Sequence, residues 1–334
     1  MKILITGATG FVGTNLLPML KEQGHTVFGI DNFSSSSWND KLHKDFDKFF
    51  QDDIVNDARL KWIFNALKPD VVFHFAGLVS IYDCHKNPLS AAENNIIGSV
   101  NVFNAALDCG CKRVIFSESS AVYEGCALPV DGFYEDQSSP ITFYSTTKAA
   151  VALCANSYSK TKGLKYTALR YFNIAGPIQD YSRTVPPLFA GVALRLLGGN
   201  NPIIFGDGHR ERDFIHVDDV NRFHLLCLTD DRTINETYNL GTGNSTSLFT
   251  ISEIIHKYLN LDKKLEYDFK DEINGEAFII YANNSKAKKL NWECTKTIQD
   301  EIYDTIDYLK EEIDKGNINP KTYMEDLDIN SVKI

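Results

Sequence analysis

The chain has 334 residues, 43% hydrophobic and 23% charged, with a formal net charge of −10. That is enough apolar material for one large domain or two moderate ones, and interspersed charge fits a soluble globular protein. The acidic balance, the absence of a basic stripe and the absence of any run near the ~18 apolar residues of a membrane span argue against nucleic-acid and membrane partners.

The opening "KILITGATGFVGTNLLPMLKEQG" reads as strand, Gly-rich turn and helix. Its apolar run stops too soon for a secretory signal, so a cytoplasmic protein is expected. "TVFGIDN" is a second strand ending in Asp31, and "KFFQDDI" a third. "DARLKWIFNAL" has helical spacing, "DVVFHFAG" is an unbroken apolar strand, and a helix follows around "ENNIIGSVNVFNAALDCG". "KRVIFSES" is a strand that ends in hydroxyls, "FYSTTKAAVALCANSYSKTKG" a long amphipathic helix, and "KYTALRYFN" another strand. Continuous apolar strands alternating with helices indicate a parallel sheet covered on both faces. After Asn173 the chain turns rich in Pro, Gly and charge, and from Ile251 it is mostly helical. The seven cysteines are scattered, and Cys109 and Cys111 form a C-x-C without a matching pair. Reduced thiols and no metal site are expected.

Two features carry chemistry. Gly7, Gly10 and Gly13 lie between the first strand and first helix. There glycines let the backbone approach a pyrophosphate at a helix N-terminus. Asp31 closes the second strand, where a carboxylate accepts hydrogen bonds from a ribose and repels a 2′-phosphate, so NAD is favoured over NADP. Tyr144 and Lys148 share one helix face. An ammonium near a phenol favours its anion, which turns a poor base into a usable one at neutral pH.

With these in place, "TGATGFVG", "SESSAVYE", "YSTTK" and "RYFNIAGP" resemble the extended short-chain dehydrogenase/reductases. "IFGDGHRERDFIHVDDV" narrows the resemblance to the NAD-dependent nucleotide-sugar epimerase/dehydratase group, from the N-terminus to about residue 310. The resemblance implies an α/β fold: a Rossmann-type doubly wound parallel sheet for NAD (1–172 plus about 213–243) and a smaller α/β C-terminal substrate domain (173–212 and 244–334). It also implies a homodimer through helices at 94–108 and 145–162, with Ala149, Ala150, Ala152 and Ala155 allowing close approach.

Roles are implied residue by residue. Ser119, Tyr144 and Lys148 match the catalytic group, and Ser117 faces the nicotinamide. Further cofactor positions are Phe11, Val12 and Asn32; Asp53 and Ile54 at the adenine; Phe75, Ala76 and Gly77 over the pyrophosphate; Tyr171 and Phe172 at the nicotinamide. Substrate positions are Ser80, Asn173, Phe205, Arg212, Glu276 and Ile280, the last facing the sugar C2 substituent. His74 fits a satisfied core histidine better than a ligand, and Glu118, where relatives often have Ser, has no derivable role.

Dehydratases resemble Thr-Asp-Glu where this chain has Ser119, Ser120 and Ala121. One acid/base pair with a reversible hydride is the minimum for C4 epimerisation of a nucleotide sugar, UDP-hexose first. A 4-ketosugar reductase or C2 epimerase on a CDP- or dTDP-sugar would use the same triad, and a non-catalytic NAD sensor is a third possibility. Ile273 stands where the group usually has Arg, which leaves the nucleotide open.

Overall fold

The computed structural model describes residues 1–34, 43–183, 185–271 and 277–323. Their strands are β1 (Lys2–Thr6), β2 (Thr26–Asp31), β3 (Lys48–Gln51), β4 (Val71–His74), β5 (Arg113–Ser119), β6 (Tyr166–Tyr171), β7 (Asn173–Ala175), β8 (Ile203–Phe205), β9 (Glu211–His216), β10 (Glu236–Leu240), β11 (Ser245–Ser247), β12 (Asp268–Lys270) and β13 (Ile279–Ile280). The helices are α1 (Phe11–Glu22), α2 (Asp57–Leu67), α3 (Ile81–Lys86), α4 (Pro88–Ala91), α5 (Gly98–Asp108), α6 (Phe143–Lys162), α7 (Leu188–Leu197), α8 (Val217–Thr229), α9 (Leu248–Tyr258), α10 (Ser285–Lys288) and α11 (Ile298–Asp314). None of them is long and apolar enough to cross a membrane.

Among these residues a seven-stranded sheet runs in the order β10-β6-β5-β4-β1-β2-β3, with every neighbouring pair parallel. This is the doubly wound α/β arrangement expected from the unbroken apolar runs. Ile3, Leu4 and Ile5, Val72 and Phe73, and Val114 and Ile115 are fully buried, as central strands covered on both faces must be. The order reverses between β1 and β4, and a doubly wound sheet opens its ligand crevice at that point.

The chain forms two compact units. The first comprises Met1–Cys126, Glu135–Tyr171 and Val220–Leu240; the second comprises Ala127–Tyr134, Phe172–Asp219 and Gly241–Ile334. The first contains the parallel sheet. In the second, β9 pairs with β7 and β13 in parallel and with β11 antiparallel, while β8 pairs with β12. Its core gathers Phe189 and Leu194 of α7, Ile251 and Ile255 of α9, and Ile302 and Ile306 of α11.

Two local features differ from the sequence pattern. The helix expected around "ENNIIGSVNVFNAALDCG" opens with a π-helical turn, Ala92–Ile97, before α5. The stretch after Ile251 also carries β12 and β13, strands of only three and two residues.

Gly7 shows why the first turn needs glycine. Its φ is +68°, and a Cβ there would lie 2.6 Å from the Ala76 backbone nitrogen. Gly24 has a similar φ of +73° but open space around it. Gly24→Ala should therefore lose only the left-handed backbone cost, about 1–2 kcal/mol. Gly7→Ala should lose more, because β1 and the segment after β4 must also part. Urea denaturation of both variants checks the ranking, and equal losses would contradict it.

Candidate active site

The cofactor end is built at the C-terminal edge of the sheet. Gly10 precedes α1 with no side-chain cap, so the first-turn amides of Phe11, Val12 and Gly13 are left for an anion. Asp31 is buried at the end of β2; one carboxylate oxygen accepts from Thr9 N (3.0 Å) and the other from Phe33 N (2.8 Å). Asn32 donates to Asp53 (2.8 Å), whose other oxygen accepts from Val55 N (2.9 Å). Ile54 is buried against Gly98 at the start of α5. Phe75 and Tyr171 converge on His224: the Phe75 ring lies 5.0 Å from the imidazole, and the Tyr171 hydroxyl is 2.7 Å from Nε2. Phe172 falls in the second unit, beside Gly241. His74 is a satisfied core residue, bonded to Thr6 Oγ1 and Ser99 Oγ, and burial pushes it down to about 3.

The reactive end centres on Lys148. It is 6% exposed, and its ammonium donates to the Ser117 carbonyl (3.3 Å) and hydroxyl (3.4 Å). Burial pulls its pKa down to about 8, against the opposing fields of Cys84 and Glu118. The ammonium lies 5.9 Å from the centroid of the Tyr144 ring, one helical turn away. Lys148 and Ser117 line a small pocket with His74, Ala76 and Asn95.

Tyr144 is held by its helix start. Thr142 caps α6 by accepting from Ser145 N (3.2 Å), and Glu124 accepts from Thr142 N (3.0 Å) and Ser145 Oγ (2.9 Å). A carboxylate at a helix N-terminus also opposes the positive end of the macrodipole. Tyr144 packs with Cys84 and Ala91, and Ala121 lies against that cluster. Ser119 ends β5 and caps the 3₁₀ turn Ser120–Tyr123 by accepting from Ala121 N (3.2 Å). Ser80 caps α3, accepting from Asp83 N (3.1 Å). Spacing alone does not reveal Asn95, Glu124, Arg170 or His224. Asn95 lies in the π-helical turn and reaches both Thr147 Oγ1 (2.9 Å) and the Leu78 backbone.

Glu118 faces Arg170, its register partner on β6. The pair is buried and bidentate: Nε donates to one carboxylate oxygen (3.0 Å) and Nη2 to the other (2.9 Å). Nη1 donates onward to the Tyr123 hydroxyl (2.7 Å) and to the carbonyls of Glu135 and Gln137 (3.2 Å each).

In the second unit, Asn173 of β7 donates to the Asp213 carbonyl (2.9 Å), and Arg212 and Ile280 are register partners on β9 and β13. Ile280 is buried. Arg212 Nη1 donates to the Glu211 carbonyl (2.9 Å). Phe205 of β8 faces Lys270 across the pair with β12. Asp213 anchors this region: its carboxylate accepts from Thr242 N, Thr242 Oγ1, Gly243 N and Ala282 N at 2.6–3.0 Å. Burial still pushes it up to about 6. Glu276 and Ile273 lie outside the described residues.

Comparison with known proteins gives a consistent picture. The family model described as NAD dependent epimerase/dehydratase matches residues 3–241. A UDP-glucuronate 4-epimerase of Thermodesulfobacterium geofontis is 30% identical over 93% of this chain and 97% of its own. The crystal structure of a UDP-glucose 4-epimerase from Thermotoga maritima with UDP-glucose superposes with a TM-score of 0.88 at 31% identity, covering 94% of this chain and all of the other. A UDP-N-acetylglucosamine 4-epimerase from Methanobrevibacter ruminantium, in complex with UDP-N-acetylmuramic acid, gives 0.84 at 30%, covering 93% and 98%.

Proposed function

This chain belongs to the NAD dependent epimerase/dehydratase family, and from that premise we propose that it interconverts the C4 epimers of a UDP-hexose. The observation that carries this reading is the buried Tyr144 and Lys148 on α6, with Lys148 bonded to Ser117 of β5 and the methyl of Ala121 packed against the Tyr144 cluster. Elimination of water needs a further acid/base group beside the sugar, and an alanine methyl supplies none.

The residues present fit NAD. The uncapped α1 start and Gly7, pressed against the Ala76 backbone, suit a pyrophosphate. Gly10, Phe11, Val12 and Gly13 would hold it, Asp31 and Asn32 the ribose, and Asp53 and Ile54 the adenine. When bound, NAD supplies a reversible two-electron oxidation at sugar C4. Tyr144 takes the 4-hydroxyl proton and later returns it, so the enzyme ends as it began. Lys148 favours the phenolate electrostatically, and Ser119 hydrogen-bonds the same sugar oxygen. Asn173, Phe205 and Arg212 hold the nucleotide, and Ser80 contacts the sugar. UDP is the nucleotide carried by the relatives and neighbours described above.

The proposed form is a cytoplasmic homodimer. Leu153 of α6 is 69% exposed and Ile97, just before α5, is 51% exposed, an apolar pairing that suits helix packing across a two-fold axis. Ala149 and Ala150 are half-buried on α6. Ala155, expected at this contact, instead lies fully buried in the first unit's own core, with Ala152 packed against it.

Tyr144→Phe should keep its NAD and lose about 10²–10⁴-fold in turnover, the usual contribution of a general base. NMR of UDP-glucose and UDP-N-acetylglucosamine incubations measures this, together with native mass spectrometry for the cofactor. Near-normal turnover in this variant would reject the catalytic assignment, and stoichiometric consumption of added NADH by the wild type would favour a reductase.

Ile280 is intermediate in bulk between a gate that admits N-acetyl groups and one that excludes them. The wild type should turn over plain hexoses with some N-acetylhexosamine activity, and Ile280→Tyr should abolish the latter selectively. Equal loss of both activities would remove Ile280 from this role.

Leu153→Asp should convert the dimer to monomer. Sedimentation velocity at micromolar concentration reads this directly, and an unchanged dimer would place the interface elsewhere.

A further inference from the structure

We propose that Glu118, acting through Arg170, is a positioning residue for Lys148 and Tyr144. Its purpose rests on the epimerase reading of the site; its geometry does not. Side chains alternate along a strand. Glu118 therefore points to the face of β5 opposite Ser117 and Ser119, and it meets Arg170 rather than the reacting groups.

Arg170 spends its donors on three segments at once. Nε and Nη2 hold the end of β5 through Glu118. Nη1 holds Tyr123, the last residue of the turn that Ser119 caps, and the carbonyls of Glu135 and Gln137 in the chain leading to α6. Those segments carry the reactive side chains: Ser117 and Ser119 on β5, Tyr144 and Lys148 on α6. Tyr123 is further fixed by donating to Asn239 (2.7 Å), whose backbone amide donates to Glu135 (3.0 Å). A single guanidinium thus fixes the strand end relative to the helix start.

A guanidinium this deeply buried stays in place only while it is paired. Glu118 provides that pairing. Without it Arg170 is an uncompensated buried cation, and the strand end and the 135–137 segment lose their common anchor.

Glu118 also acts on Lys148 at longer range. The titratable groups around Lys148 are Cys84 from α3 and Glu118 from β5, whose charges would act on it, His74 from β4, which lines the same pocket, and Tyr144 on its own helix. At neutral pH His74 is uncharged, because burial pushes it down to about 3, and Cys84 stays a thiol, because burial pushes it up to about 11. Glu118 is then the acidic group that helps Lys148 keep its proton.

The test reads Lys148 and turnover separately. Lysine ¹³Cε NMR titration, with the resonance assigned by Lys148→Met, gives the ammonium midpoint without any substrate. In Glu118→Gln the midpoint should fall relative to wild type. Turnover should drop at least tenfold, with KM and retained NAD within twofold, and Glu118→Asp should recover part of the loss. Turnover within twofold of wild type would overturn the proposal, and so would an unchanged midpoint. If Glu118→Gln does not fold, Glu118→Gln/Arg170→Gln removes both buried charges. Its turnover should stay low because the anchor is gone, and normal turnover in it would equally overturn the proposal. If the wild type acts on no UDP-sugar, the epimerase reading fails alone, and the NMR comparison still decides for or against Glu118.

Discussion

Burying an ammonium is costly unless oriented dipoles replace its water. Lys148 meets that requirement with neutral oxygens, the carbonyl and hydroxyl of Ser117, where β5 runs past the end of β4. Much of the site follows from this need. β5 must present a backbone carbonyl toward α6, and the small side chain of Ser117 adds its hydroxyl to that carbonyl. The run of hydroxyls that closes this apolar strand is therefore less puzzling: Ser117 serves the lysine, Ser119 caps the next turn, and the buried face is left to Phe116 and Val114. Lowered to about 8 by burial, Lys148 still carries its charge at neutral pH, which is the condition for helping Tyr144.

Each unit then has its own buried charged hub. In the first, Arg170 and Glu118 form a closed bidentate pair; removing one partner of such a pair costs about 3–5 kcal/mol, largely as an unpaired buried charge. In the second, Asp213 has no described arginine or lysine partner and is satisfied by four donors instead. The two solutions differ in their response to pH. Arginine keeps its proton across the physiological range, whereas a carboxyl raised to about 6 by burial takes up a proton on mild acidification. Protonated Asp213 would weaken its hold on Thr242, Gly243 and Ala282, the last of these just after the strand carrying Ile280.

The parallel sheet was legible because its strands are apolar without interruption, and Tyr144 with Lys148 because helical spacing is local. What escaped is nonlocal or phase-shifting. The partner of Glu118 lies on the next strand, so nothing near Glu118 in the sequence announces Arg170. The π-helical turn at Ala92–Ile97 alters the helical phase with no Pro or Gly inside it, and so hid that Asn95 points at Thr147. Apart from β9, the strands of the second unit are two or three residues long, too short for period-two alternation to register. Ala127–Tyr134 joins that unit through hydrogen bonds to residues 281–283, including a bridge between Phe133 and Ala282, contacts with no local signature.

The choice among reactions comes down to what stands near one phenol. A sugar oxidised at C4 has an acidified proton at C5, and a base there would carry the chemistry on to elimination. In this protein Ala121 packs against the Tyr144 cluster, and Glu118 has both of its carboxylate oxygens held by Arg170. Glu124, the next acid along, is consumed at the start of α6 by Thr142 and Ser145. Both acids of this stretch are thus committed to structure. On the proposed reading, a ketone formed at C4 would stand beside a tyrosine that can only return the proton it took, and that restriction would keep the chemistry reversible.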